Sequence, residues 1–179
     1  MNIKLRLKKL YLSPLLVFFI GYNSYADSIE TIGNIFWILL PSTAYGTTFV
    51  MDDEAGRYQF YKSFATTVAT TYALKYTVDK ERPNGGEHSF PSNHTSTVFQ
   101  SATFIQMRYG WKYGLVAYTA ASFVGYSRVH ADEHYTEDVI AGALIGILSS
   151  YYFTTPYKSL KIIPKVSREL SGLYFQYQW

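Results

Sequence analysis

The sequence predicts an all-α fold, a helical bundle of five core helices with a short C-terminal β-like tail. Three observations point there. Aromatic and aliphatic residues recur at helical spacing through 58–78, long uncharged stretches occupy 31–51 and 139–153, and proline or charged clusters break the chain at short intervals. A single chain of 179 residues is one domain's worth.

Residues 1–26 open with Lys4, Arg6, Lys8 and Lys9, continue through the apolar run Leu10–Ile20, and reach Ser24-Tyr25-Ala26. This order of charge, apolar core and small residues is that of a secretory signal peptide, cut after Ala26. The same stretch, uncharged from 10 to 26, is near the lower length limit for a membrane anchor, and if retained it makes a sixth helix. Either way the chain is expected to be exported, to the periplasm or the inner membrane.

The core is expected over 27–155. Residues 31–51 contain no charged side chain but include Asn34 and Pro41, so one buried helix or a kinked pair is admissible. Asp52-Asp53-Glu54 ends that stretch, and a second helix follows over 58–78. Pro91-Ser92 signals the start of a third at 94–109, and a fourth runs from 112 to 126. The last begins near Thr136, as its N-cap, and stops before Pro156. From 156 to 179 the chain alternates aromatic residues with lysine and glutamine, with Gly172 as the turn of a two-stranded hairpin.

The uncharged runs 31–51, 89–107 and 139–157 are each long enough to span a bilayer, yet the mean hydropathy is only -0.05. Membrane contact is therefore favoured over six fully spanning helices, with the charged motifs on the outer, periplasmic side. Outside the first 26 residues the chain holds twelve basic and thirteen acidic side chains, which excludes a nucleic-acid footprint. With no cysteine, thiolate chemistry and Cys-ligated metals are excluded too.

Chemistry concentrates between Lys75 and Asp138. Lys75 sits near a helix end and Arg82 lies just before Pro83, so two cations can converge, or form a solvated pair among Asp79, Lys80 and Glu81. Pro91-Ser92-Asn93-His94 opens a helix, where backbone N–H groups favour an anion and Ser92 can donate or cap. His94 is placed to hand a proton to a departing oxygen. Arg128, His134 and Asp138 complete the set. A carboxylate four residues after a histidine can fix its tautomer and leave the other nitrogen free to attack, while Lys75, Arg82 and Arg128 neutralise phosphate oxygens. A zinc or iron site built on His130, His134 and Asp138, with His88, Asp132 and Glu133 nearby, is the physical rival, and three converging cations argue against a dication there.

Together these residues resemble the phosphatidic acid phosphatase type 2 / vanadium haloperoxidase superfamily. Its signatures appear as Lys75…Arg82-Pro83, Pro91-Ser92-Asn93-His94 and Ser127-Arg128…His134…Asp138, in order and at matching spacing, over about residues 30–155. The resemblance implies that Lys75, Arg82, Ser92, Asn93 (through its backbone) and Arg128 bind phosphate. It implies that His134 forms a phosphohistidine, that Asp138 orients it, and that His94 protonates the leaving group, with no metal or other cofactor. Asn93 departs from the family's usual glycine. The implied activity is a phosphatase acting on monoester or diphosphate groups of membrane lipids. A soluble broad-specificity acid phosphatase acting on small phosphate esters, a vanadate-dependent haloperoxidase and a non-enzymatic lipid-binding bundle are the alternatives.

Overall fold

A computed structural model describes residues 28–157, 159–166 and 171–178. The leader or anchor expected at 1–26 lies outside the described residues. Five helices follow one another: α1 (Ser28–Val50), α2 (Glu54–Val78), α3 (Asn93–Tyr109), α4 (Trp111–His130) and α5 (Thr136–Phe153). Strands β1 (Ser159–Val166) and β2 (Ser171–Gln178) then pair antiparallel, from Ser159 opposite Gln178 to Val166 opposite Ser171. The all-α bundle and its β tail are as the sequence predicts.

Four local differences have physical causes. Pro41 is accommodated inside α1, which continues as one helix rather than a kinked pair. α4 runs four residues past the expected 126 and carries Ser127, Arg128 and His130 in its last turn, where basic side chains suit the negative helix end. Tyr135, not Thr136, is the N-cap of α5, because the Asp138 carboxylate reaches back to accept from Tyr135 N–H at 3.0 Å. Gly172 is inside β2, opposite Lys165, rather than at a turn.

α3 is the central element and packs against each of the other four helices. Its surroundings explain the low hydropathy. Thr71 Oγ1 donates to Ser96 Oγ at 3.0 Å, Gln100 Nε2 to Ser63 Oγ at 2.8 Å, and Ser150 Oγ to Gln100 O at 2.6 Å. These buried polar groups are all partnered, which is what makes them tolerable inside a bundle. Small residues bring the backbones close. A Cβ at Gly142 would sit 2.5 Å from the Ser92 carbonyl, and one at Gly146 would strike the Ser96 carbonyl. Leu40, Phe60, Val98, Phe104, Ile105 and Val124 form a buried apolar core, while other apolar side chains face outward: Ile38 on α1, Val116 on α4 and Leu148 on α5 are 64%, 71% and 64% exposed. No described helix is long and apolar enough to cross a membrane.

The far end of the bundle is closed by a buried ion pair. Asp53 caps α2 through Gly56 N–H at 2.9 Å, and Arg108 at the end of α3 grips both its oxygens at 2.7 and 2.5 Å. Arg108 also donates to the carbonyls of Thr155 and Pro156 at 2.7 and 3.0 Å, tying the end of α5 to the same point.

Candidate active site

At the opposite end, the C-terminus of α2, the N-terminus of α3, the C-terminus of α4 and the N-terminus of α5 meet. They bring Lys75, then Ser92, Asn93 and His94, then Arg128, then Asp138, and α1 closes the side. Three non-glycine residues with left-handed backbone shape the connecting loops: Asp79, His88 and Asp132, at φ 46°, 55° and 52°. Such conformations persist only where surroundings hold them. Asp79 ends α2 and turns the chain sharply, which sends Lys80 back across the mouth of the site.

The centre is a relay. Ser89, fully buried, donates its hydroxyl proton to Asp138 Oδ2 at 2.5 Å, and its Oγ lies 3.4 Å from His134 Nδ1. The direct His134–Asp138 separation is 3.9 Å, so Ser89 stands between them. A hydroxyl has one proton. With that proton committed to Asp138, Oγ can only accept from the ring, which places the imidazole proton on Nδ1 and leaves Nε2 bare. Ser89's backbone carbonyl also accepts from the ring. Burial, followed by Lys75 and Arg82, holds the His134 pKa down to about 4, against the opposing pull of Asp138. The imidazole is therefore uncharged at neutral pH.

Asp138 has three partners. Lys80 Nζ donates to Oδ1 at 2.8 Å, while Ser89 Oγ and Tyr135 N–H donate to Oδ2. Burial raises its pKa, but these hydrogen bonds outweigh it and the net shift is downward. Lys80, read from sequence as one of a solvated set, is thus part of the site and also bonds Glu137 at 2.8 Å.

The phosphate-binding candidates converge on the same end. Lys75 is buried and donates to the His88 carbonyl at 2.5 Å; burial, then Arg82, bring its pKa down to about 8. Arg82 bonds the Glu87 carbonyl at 3.0 Å and pairs with Glu133, whose other oxygen accepts from Asn84 Nδ2 at 3.2 Å. Arg128 is buried, donates to the Glu30 carbonyl at 3.2 Å and lies 3.7 Å from its carboxylate. Ser92 acts as the N-cap of α3, accepting from Thr95 N–H at 3.4 Å. Asn93 is the first residue of α3 and has no positive φ, so a glycine's freedom is not required where the family has one. Its Oδ1 is buried without a hydrogen-bond partner. The first turn of α3 directs orphan backbone N–H groups at the same space.

His94 leans on α1. Its ring packs on Trp37 at a centroid distance of 4.0 Å, and Nε2 lies 3.2 Å from Asn34 Oδ1. Trp37 is itself fixed by a bond from its indole N–H to Thr97 Oγ1 at 3.0 Å. Burial and then Arg128, His134, Arg82 and Lys75 depress the His94 pKa to about 3. A bound dianion would oppose those charge effects and favour the protonated ring.

All eight motif residues therefore gather at one end of the bundle. Sequence reasoning missed Ser89, Lys80, Asn34, Trp37, Glu30 and Glu133. Of the metal-rival residues, His130 is elsewhere, its ring exposed and stacked on Tyr126 at 5.6 Å. Among the described residues, no three His, Asp or Glu side chains are grouped to hold a metal ion.

The arrangement defines a class, a helical bundle with an anion-binding end built around an unprotonated histidine nitrogen. Residues 84–160 match the model of the PAP2 superfamily. A lipid A 1-phosphatase from Porphyromonas gingivalis is 42% identical over 80 residues, 42% of this chain and 18% of that protein. A lipid A 4'-phosphatase from Helicobacter pylori is 29% identical over 97% of this chain and 99% of its own length. The chain thus spans under a fifth of the first relative and nearly all of the second. In fold it is similar to the crystal structure of Aquifex aeolicus LpxE, with a TM-score of 0.63 and 21% identity over 73% of this chain and 87% of that one.

Proposed function

We propose that the protein is a metal-independent phosphatase that removes phosphate from a membrane lipid through a phosphohistidine on His134. The observation that carries this is the Ser89 relay, which leaves Nε2 of a buried neutral imidazole bare in the field of Lys75 and Arg82. In the reaction, Nε2 attacks phosphorus and the bond from phosphorus to the leaving oxygen breaks. That oxygen takes a proton from His94. Water then attacks phosphorus, giving its proton back to His94 as the phosphorus–nitrogen bond breaks. The three cations, Ser92 and the Asn93 backbone N–H stabilise the charge on the equatorial oxygens throughout. Asp138, held by Lys80, steadies the Nδ1–H tautomer through Ser89.

A lipid substrate is supported by the two relatives named as lipid A phosphatases and by the inverted distribution of polarity. Hydroxyl and glycine contacts share the helix interfaces with a small apolar core, while Ile38, Val116, Leu144 and Leu148 among others face outward, a pattern that suits helices packed within or against lipid. The expected leader places the protein at the outer face of the inner membrane, with the site on the periplasmic side. The test is phosphate release from lipid and soluble phosphates by protein treated with chelator, beside His134→Ala. Release by wild type and its loss in the variant are expected. Undiminished turnover by His134→Ala, or strict dependence on added zinc, would sink the proposal.

A further inference from the structure

On the proposed reaction the group carrying the phosphate leaves beside His94, and a groove begins there. His94 packs on Trp37 and is next to Asn93 in sequence, and both Trp37 and Asn93 line a groove of about 330 Å³ between α1 and α2. Ile38, Pro41, Phe64, Val68 and Tyr72 form its remaining apolar walls. A larger cavity of about 530 Å³ between α1 and α4 carries none of the motif residues and does not share this continuity.

At the head of the groove Asn93 contributes an atom whose chemistry is unmet. Its Oδ1 is buried and has no hydrogen-bond partner, whereas its backbone carbonyl already accepts from Ser96 Oγ and Thr97 Oγ1 at 3.1 and 2.9 Å. A buried acceptor without a donor is costly unless something supplies one. A glycine at this position would remove that cost without disturbing the helix start, because Asn93 has no special backbone conformation. The amide is therefore best explained by what it meets when the site is filled.

We propose that the α1–α2 groove receives the lipid attached to the phosphate, and that Asn93 Oδ1 selects a lipid bearing an N–H or O–H donor beside the phosphate ester. Acylated amino-sugar phosphates carry such a donor. Phosphatidate, whose neighbouring groups are esters, does not. This rests on the phosphatase reading above and deepens it by naming what the leaving-group side recognises.

Two variants test it in mixed micelles, with kcat/KM for phosphate release from three substrates: a phosphorylated N-acyl glucosamine lipid, phosphatidate of matched chain length, and p-nitrophenyl phosphate. Wild type is expected to prefer the amino-sugar lipid over phosphatidate by about tenfold or more, the worth of one buried hydrogen bond. Asn93→Gly is expected to shrink that ratio to about threefold or less. Val68→Trp, at a half-buried groove position, is expected to lower kcat/KM on both lipids by about tenfold while changing the soluble ester by less than about threefold. An unchanged lipid ratio in Asn93→Gly overturns the selection, and an equal loss on all three substrates in Val68→Trp overturns the groove. Wild type that releases phosphate from none of them overturns the phosphatase reading itself.

Discussion

Replacing Ser89 with alanine separates a relay from a direct His134–Asp138 contact. In the structure the carboxylate is 3.9 Å from the ring, and the Ser89 hydroxyl makes the 2.5 and 3.4 Å links between them. Removing Oγ takes one hydrogen bond from a charged acceptor, worth about 1.5–3 kcal/mol. Asp138 keeps Lys80 at 2.8 Å and Tyr135 N–H at 3.0 Å, and the ring keeps the Ser89 carbonyl, so the lower half of that range applies. About 1.5–2 kcal/mol is a fall of roughly 10–30-fold in kcat/KM, expressed mainly in kcat because the ring loses orientation rather than the phosphate losing a ligand. The same loss lowers Tm by about 3–8 °C for a chain of this size. Asp138→Asn should cost more, since it also strands Lys80, and the double variant should be no slower than Asp138→Asn alone. That non-additivity is the signature of two residues acting through one link. Steady-state phosphate release at neutral pH and a urea melt on each variant measure both quantities. If Ser89→Ala stays within about twofold of wild type, or the two losses multiply, the relay is wrong.

Three further outcomes follow from the same coordinates. Both site histidines are buried and uncharged in the folded protein, at pKa values of about 4 and about 3, whereas unfolded histidines titrate near 6.5. The unfolded chain therefore binds up to two more protons below pH 6.5, and stability should fall as pH falls from about 6.5 toward about 4, by up to about 2.7 kcal/mol per pH unit; His134→Asn should halve that slope in urea melts, and a flat profile would contradict the burial. Arg108→Met leaves the Asp53 carboxylate buried without its cation and should cost about 3–5 kcal/mol, lowering Tm by about 6–20 °C, with kcat/KM of the folded fraction unchanged because the pair closes the far end of the bundle; a Tm loss under about 2 °C would refute it. Gly142→Ala should destabilise by about 1–3 kcal/mol and reduce kcat/KM, because its Cβ must displace the Ser92 carbonyl, whereas Gly46→Ala, where a Cβ meets nothing within 4 Å, should do neither.

The motif residues were legible in the sequence because the three segments stand in order and at matching spacing between long uncharged stretches. Ser89 was not, since one serine among the many hydroxyls of a Ser/Thr-rich core carries no signal until its position between two side chains from 134 and 138 is known. Lys80 was misread for the opposite reason. Flanked by Asp79 and Glu81 it reads as solvated, and the left-handed turn at Asp79 that redirects it has no asparagine or glycine to announce it. Asn34 and Trp37 reach His94 across about sixty residues of chain, a pairing that helical periodicity does not encode. The fold itself was readable from breaks and caps. Its low mean hydropathy reflects in part the hydroxyl groups that line its helix interfaces.

The pairing of the cations shows how such a site remains foldable before phosphate arrives. Lys75 accommodates burial by a lowered pKa, with a carbonyl as its partner. Guanidinium groups cannot shed their proton in this way, and here each has a carboxylate: Glu133 for Arg82 and Glu30 for Arg128. Lys80 does the same in reverse for Asp138. A phosphate must therefore compete with groups already in place, which limits how tightly the ground state binds. Glu133 and Glu30 each serve one arginine, whereas a phosphoryl group seated between the helix ends can bridge both arginines and Lys75 through three oxygens. Interactions of that kind strengthen as the equatorial oxygens spread apart and gather charge during transfer. On the proposed reaction the cost of displacing the carboxylates falls on bound substrate and transition state alike, so only the interactions that strengthen during transfer would lower the barrier rather than the KM.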